Sequence, residues 1–179
     1  MLIASDAQAE PGTTPTGGYL LHDLQSDRKT GKFVKFDDET LELWGYPKCK
    51  LEEGGNPIAL CEGGMLPMVM LTEAHRMEHC DVLWFVDNTT ALHSVIKGNA
   101  RNQWLDRSIA IFHFLAFRYD VHVWFEFVDS KSNWADGISR DLDKDPFAIR
   151  HGYEIDEMSI PRDLWKVTAQ ELWCCITGE

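Results

Sequence analysis

The hydrophobic pattern of the first third of the chain predicts three short strands. Residues 2–7 form a largely apolar run, residues 12–16 contain turn-forming Gly and Pro, and the apolar run returns over residues 17–21. Residues 32–36 alternate polar and apolar positions, which is the period of a half-buried strand. We therefore expect a hairpin followed by a third strand, and then a mostly irregular connection over residues 37–55.

A central strand is predicted from Val82 to Val86, because this continuous apolar run is too short for a free-standing helix. Asp87 follows it directly, and Asn88-Thr89-Thr90 suits the start of a helix. Open α/β sheets place their chemistry at the carboxyl ends of central strands. This stretch alone leaves two interpretations of Asp87 open, a helix cap and a functional carboxylate.

Helical patterns occupy most of the remaining chain. We expect a helix over residues 57–79, with a kink or a broken first turn caused by Gly63-Gly64 and Pro67. Two further helices are predicted over residues 89–97 and 102–118. A strand over residues 121–128 follows, and Asn133 can then cap a short helix that bears Asp136.

This order predicts an α/β fold with a mixed sheet of about five strands, in which three antiparallel strands precede parallel βα units and helices cover both faces. We assign residues 2–140 to one domain and residues 141–179 to a C-terminal extension of it. The amphipathic segment 164–173, with Trp165 and Trp173 at helical spacing, predicts that this extension packs back on the same domain.

Composition favours a globular intracellular protein. The 179 residues are 44% hydrophobic and include seven Trp and nine Phe, which suffices for one domain with a real core. No apolar run reaches membrane-spanning length and no secretory leader is visible. The five Cys form no even disulfide framework, so we expect reduced thiols and a cytoplasmic or nuclear location. The abrupt start on a strand suggests a domain cut from a longer polypeptide.

The formal net charge of −12 argues against free, salt-driven binding of nucleic acid by this piece alone. It leaves open a nucleic-acid enzyme whose affinity comes from neighbouring domains and whose acids hold metal ions. A zinc site is not expected, since the seven His show no spacing that other ligands match.

Four carboxylates occupy positions that the predicted topology can bring together: Asp6 on the first strand, Glu62 on the first long helix, Asp87 after the central strand and Asp136 on the late helix. Such a group would repel itself unless cations neutralised it. Mg²⁺ prefers oxygen ligands, and two such ions roughly 3.5–4 Å apart stabilise the attacking and leaving oxygens of a phosphodiester displacement. The acids therefore predict metal-dependent phosphodiester hydrolysis.

Three motifs carry a resemblance to a known family. They are Ser5-Asp6-Ala7, Glu-His-Cys-Asp-Val-Leu-Trp-Phe-Val-Asp-Asn-Thr-Thr-Ala over residues 78–91, and Ser-Asn-Trp-Ala-Asp-Gly-Ile-Ser-Arg over residues 132–140. With them, residues 2–140 resemble the ribonuclease H domain of a retroelement reverse transcriptase. The tail from Asp141 onward carries no part of this resemblance.

The resemblance implies an Asp-Glu-Asp-Asp site that binds two Mg²⁺ ions, or Mn²⁺ in their place, and cuts the RNA strand of an RNA/DNA hybrid to leave a 5′-phosphate. Asp6 and Asp87 would share both ions, Glu62 would hold the ion on the leaving-group side, and Asp136 the ion that orients the attacking water. An upstream reverse transcriptase domain is the implied partner. Contacts to the hybrid are expected from Lys97, Asn99, Arg101, Asn102, Lys131 and Arg140.

Two departures from the family pattern are visible. Glu62 is followed by Gly-Gly and Pro67 rather than by a smooth helix, which makes Glu73 an alternative ligand. The loop over residues 129–133 lacks the His that many members carry there, so we expect slow turnover or another group in its place.

Two rival functions follow from these departures. A DNA exonuclease or junction nuclease of the same fold is one, but exonucleases of this kind carry an Asp-x-Glu pair that the first strand does not show. A catalytically silent scaffold or tether is the other. The disturbed helix, the missing His and the charge favour it, whereas the intact set of four acids argues against it.

Overall fold

The structure is a computed structural model that describes residues 1–10, 12–46 and 56–160 together with residues 170 and 174. Its strands are β1 (Leu2–Gln8), β2 (Thr16–Asp23), β3 (Arg28–Lys35), β4 (Asp81–Val86), β5 (His122–Phe127) and β6 (Glu154–Glu157). Its α-helices are α1 (Asp38–Leu43), α2 (Ile58–Met77), α3 (Thr89–Lys97), α4 (Gln103–Arg118), α5 (Asp136–Asp141) and α6 (Pro146–Arg150).

The six strands form one mixed sheet in the order β5-β4-β1-β2-β3-β6. β1, β2 and β3 are antiparallel neighbours, as the turn residues between them predict. β4 pairs in parallel with β1, and β5 in parallel with β4, each after a helical crossover. This arrangement confirms the predicted mixed α/β class and places the carboxyl ends of β1 and β4 side by side.

Helices cover both faces of the sheet. α2, α3 and α4 enclose the larger core, which contains the fully buried Trp84, Phe36 and Met68. α5 and α6 cover the other face through a smaller cluster around Ile138, Leu20 and Ala148. No helix in the described part of the chain has both the length and the apolar character that a membrane span requires.

The prediction of a broken first turn in the first long helix is wrong. α2 is continuous through Gly63, Gly64 and Pro67, so its first turn is not broken. The two glycines permit close packing, because a Cβ would lie 2.1 Å from Leu105 Cδ1 at Gly63 and 2.4 Å from Trp44 Cζ3 at Gly64. Burial against these neighbours compensates for the low helix propensity of Gly and Pro.

Three smaller features were not predicted. α1 forms within the stretch expected to be irregular, where the Asp37 side chain accepts a hydrogen bond from the Thr40 backbone nitrogen at 2.8 Å. β6 adds a sixth strand by pairing in parallel with β3. The helix bearing Asp136 begins at that residue, with Ala135 rather than Asn133 at its cap position.

The predicted packing of the tail falls largely outside the described residues. Residues 164–169 and 171–173, which include Trp165 and Trp173, are not among them. The division into residues 2–140 and 141–179 stays a prediction.

Candidate metal centre

Asp6 lies on β1 and faces the end of the sheet where β4 also terminates. It pairs with Gly18 of β2, while the parallel register on the other side runs from Leu2 opposite Leu83 to Ala4 opposite Phe85. Asp6 is 4% exposed, which is unusual for a carboxylate that forms no ion pair with any residue the structure describes. The strand therefore carries this group into a nearly dry position beside the end of β4.

Asp87 follows β4 directly and does not cap the next helix. That role belongs to Asn88, whose side-chain oxygen accepts hydrogen bonds from the backbone nitrogens of Thr90 and Ala91, both at 3.0 Å. Asp87 Oδ1 is buried and has no hydrogen-bond partner among the described residues. The geometry therefore removes the helix-cap interpretation of Asp87 and leaves a buried oxygen that a ligand can satisfy.

Glu62 reaches the same place from α2, one turn after the helix begins. It is 5% exposed, and the backbone N–H of Ala7 donates a hydrogen bond to its carboxylate. The neighbouring Gly63 and Gly64 allow α4 and Trp44 to pack closely against this part of the helix. The glycines that appeared to disturb the helix thus belong to the packing that holds Glu62 against β1.

These three carboxylates converge. Asp6, Glu62 and Asp87 each offer an oxygen, and the three oxygens lie within 4.8 Å of one another. Burial, together with the charges of Asp87 and Asp136, raises the pKa of Asp6 to about 7 against the lowering effects of a hydrogen bond from Ser139 and of the Arg140 charge. Burial, followed by the charges of Asp6 and Asp87, raises the pKa of Glu62 well above its ordinary value.

Asp136 lines the same cleft but is not within the group of three. The cleft has a volume of about 300 Å³ and its wall also includes Glu10, Ser130 and Arg140. Arg140 Nε donates to Asp136 Oδ1 at 2.8 Å, and Arg140 Nη1 lies 3.8 Å from Glu10 Oε1. The hydrogen bond between Arg140 and Asp136 raises the pKa of Arg140 above its ordinary value.

The donor set fits hard divalent cations. Every charged group of the cluster is a carboxylate, and carboxylate oxygens are the ligands that Mg²⁺ and Mn²⁺ take. The unpartnered Asp87 oxygen and the raised pKa values of Asp6 and Glu62 mark a site in which negative charge exceeds the positive charge that Arg140 supplies. A cation there would neutralise the repulsion and satisfy the buried oxygen.

Glu73, the alternative to Glu62, lies elsewhere. Its carboxylate accepts a hydrogen bond from the Tyr19 hydroxyl at 2.5 Å and another from Arg76 Nη1 at 2.8 Å. It follows Glu62 by eleven residues of α2, or about 16 Å along the helix axis. Its oxygens therefore already have partners, and it is remote from the carboxylate cluster.

The predicted substrate contacts fall in two places. Arg140 lies in the cleft wall, and the exposed Lys131 belongs to a 3-10 turn next to Ser130, which also lines the cleft. The second group, Lys97, Asn99, Arg101 and Asn102, is exposed at the junction of α3 and α4. Asn102 uses its side-chain oxygen to cap α4, through the backbone nitrogens of Trp104 and Leu105. None of these contacts is tested by the geometry, and they stay predictions.

Sequence reasoning missed several residues of the site. Ser139 Oγ donates to Asp6 Oδ2, and Gln8 and Glu10 line the cleft beside the acids. Ser139 lies inside the motif over residues 132–140, but a lone serine has no spacing signature that would assign it to a carboxylate 133 residues earlier. Gln8 and Glu10 follow Asp6 at the end of β1, and their place at the cleft depends on where that strand ends.

Comparison with solved structures supplies a neighbour for this architecture. The crystal structure of RNase H1 from the halophilic archaeon Halobacterium salinarum NRC-1 matches with a TM-score of 0.57 and 13% sequence identity, over 80% of this chain and 97% of that one. The fold is that of ribonuclease H. At this level of identity the likeness concerns the ribonuclease H fold alone. No protein-family model matches the sequence, and no curated protein matches it.

Proposed function

We propose that this chain is a metal-dependent ribonuclease H that hydrolyses the RNA strand of RNA/DNA hybrids. The single observation that carries the proposal is the convergence of Asp6, Glu62 and Asp87 to within 4.8 Å at the carboxyl ends of β1 and β4. A ribonuclease H fold can hold other chemistry, so the argument depends on the site rather than on the fold.

The residues of the site have distinct proposed roles. Asp6 and Asp87 would share two Mg²⁺ or Mn²⁺ ions, with Glu62 holding one and Asp136 the other. Divalent cations held there supply the charge that stabilises both the attacking and the leaving oxygen of a phosphodiester displacement. Asp136 pairs with Arg140 in this structure and would exchange Arg140 for a cation. The product would carry a 5′-phosphate and a 3′-hydroxyl.

The substrate would be held by cations around the cleft. Arg140, in the cleft wall, and Lys131, next to the cleft residue Ser130, would contact the phosphates next to the scissile bond. Lys97, Asn99, Arg101 and Asn102 lie at the far end of α3, about 14 Å along the helix from its start beside Asp87, and would contact phosphates further along the duplex.

We further propose that this activity belongs to an intracellular reverse transcriptase of a retroelement, because the motifs over residues 78–91 and 132–140 resemble those of such domains. The net charge of −12 supports a partner domain, since an acidic protein attracts the phosphates of a hybrid only weakly. We propose that an upstream reverse transcriptase domain supplies much of the affinity for the hybrid.

Cleavage of a labelled RNA/DNA hybrid tests the proposal. The wild type, in Mg²⁺ and in Mn²⁺ at low salt, should cut the hybrid but not single-stranded RNA or duplex DNA. Asp87→Asn should lower the rate by at least about 100-fold, because even the indirect partners of metal ligands are worth 10–100-fold.

Asp81→Asn is the matched control for this variant. Asp81 lies at the opposite end of β4, its side chain is 94% exposed, and its nearest charged partner is His122 at 3.3 Å. It should cut like the wild type. Absence of cleavage in either metal would support a silent module instead, and cleavage of DNA would support a same-fold DNA nuclease.

A further inference from the structure

Ser139 connects two of the four acids. It is fully buried on α5, where its hydroxyl donates to Asp6 Oδ2 and also lies 2.9 Å from the backbone carbonyl oxygen of Asp136. One hydroxyl proton can serve one acceptor at a time, and an ionised carboxylate is the stronger acceptor. Ser139 therefore gives Asp6 a charge-assisted hydrogen bond from within the helix that carries Asp136.

This serine is itself held in place from the sheet. Thr16 Oγ1 on β2 donates to the backbone carbonyl of Ser139 at 2.5 Å. Asn133 Nδ2, in the loop before α5, donates to the backbone carbonyl of Ser5 at 3.1 Å. These two bonds attach the loop and the helix to β1 and β2, so the hydroxyl has little freedom to follow Asp6 if that side chain rotates.

Close backbone packing restricts the helix further. A Cβ at Gly18 of β2 would lie 2.7 Å from Ile138 Cγ2, and a Cβ at Gly137 would lie 2.2 Å from Asp145 Oδ1. Ile138 is fully buried between these contacts. The helix therefore presents Ser139 to Asp6 from a fixed position.

We propose that Ser139 is a positioning residue that fixes the Asp6 side chain for cation binding and couples it to the helix bearing Asp136. A hydrogen bond to one carboxylate oxygen restricts the rotamer of Asp6, and with it the position of its carboxylate relative to Glu62 and Asp87. Partners of this kind typically contribute 10–100-fold to metal affinity or activity. This inference rests on the proposed function, since it assigns Ser139 a role at the same site.

Titration of Mn²⁺ into the protein without substrate, by calorimetry, tests the inference. Ser139→Ala should weaken Mn²⁺ binding about 10-fold relative to the wild type and lower kcat on the hybrid, while the KM for the hybrid stays within about two-fold. A merely structural serine would lower the melting temperature without changing the Mn²⁺ dissociation constant of the folded protein.

Ser94→Ala is the matched control. Ser94 is also a buried helical serine, and its hydroxyl donates to the Thr90 backbone carbonyl at 2.7 Å rather than to a carboxylate of the described part of the chain. This variant should bind Mn²⁺ like the wild type. Ser139→Cys, which keeps a weak donor of similar size, should recover part of the affinity and replaces Ser139→Ala if that variant does not fold.

Three results are decisive. Weaker Mn²⁺ binding confined to the Ser139 variants supports the inference. Wild-type Mn²⁺ affinity in the folded Ser139 variants overturns it and leaves the proposed function intact. A wild type that neither binds Mn²⁺ nor cuts the hybrid overturns the proposed function, and this inference with it.

Discussion

Two buried glutamates on the same helix have opposite electrostatic surroundings. Glu62 and Glu73 both lie on α2 and are 5% and 4% exposed. Glu73 accepts hydrogen bonds from Tyr19 and Arg76, and Arg76 also donates to Thr30 Oγ1 at 2.9 Å. Glu62 instead faces two further carboxylates, and its hydrogen bond comes from the Ala7 backbone.

The difference teaches how to separate a structural carboxylate from a functional one. Burying a charge is costly unless it is paired, and Glu73 has its pair within the folded chain. Glu62 has no such pair in the described structure, and the charges of Asp6 and Asp87 raise its pKa. When ionised, such a group adds nothing to stability, so its charge is compensated either by a proton or by a bound cation.

The largest expected effect is a fall in the stability of the metal-free protein as the pH rises. Asp6 has an ordinary pKa of 3.8 when unfolded and about 7 when folded, so between these values the folded state retains a proton that the unfolded state releases. Its contribution therefore falls across pH 4–7, by on the order of 4 kcal/mol. Urea unfolding in EDTA at pH 5, 6, 7 and 8 measures it.

Saturating Mg²⁺ should reverse much of this loss, because the cation binds only the ionised acids of the folded state. The gain in unfolding free energy from Mg²⁺ should thus be larger at pH 8 than at pH 5. A gain that is independent of pH would show that Asp6 and Glu62 are not the groups that bind the ion.

The next largest expected effect is the change in unfolding free energy when either glutamate is replaced by glutamine. Glu73→Gln should destabilise the protein by about 1–3 kcal/mol, since it removes the negative partner of Arg76. The loss is moderate because Arg76 is partly exposed, so water can solvate some of its unpaired charge. Glu62→Gln should change stability by less, and in the opposite direction at pH 8 in EDTA, because it removes a repelling charge. Equal losses in both variants, measured by chemical denaturation, would contradict the comparison.

Much of the fold could be predicted because its signals are local. α3 begins and ends at the predicted residues, since Asn88 caps it and Gly98 closes it with a φ of +76°. The apolar run of β4 identified the central strand, and Asp87 marked its carboxyl end.

The features that were missed depend on tertiary contacts. Helix propensity alone predicts a break at the glycines after Glu62. The helix nevertheless continues, because these glycines pack closely against Leu105 and Trp44 from distant parts of the chain. β6 carries mostly charged residues and becomes a strand because the edge of β3 is available for pairing. Ser139 owes its contact with Asp6 to the same long-range packing.

The measurement that tests the central claim most directly is a calorimetric titration of Mn²⁺ at pH 8 into the wild type, Glu62→Gln and Glu73→Gln. The two variants carry the same chemical change on the same helix. We expect saturable binding to the wild type and to Glu73→Gln, with at least about 10-fold weaker binding to Glu62→Gln. Equal affinity in Glu62→Gln and the wild type would contradict a cation site built on Asp6, Glu62 and Asp87.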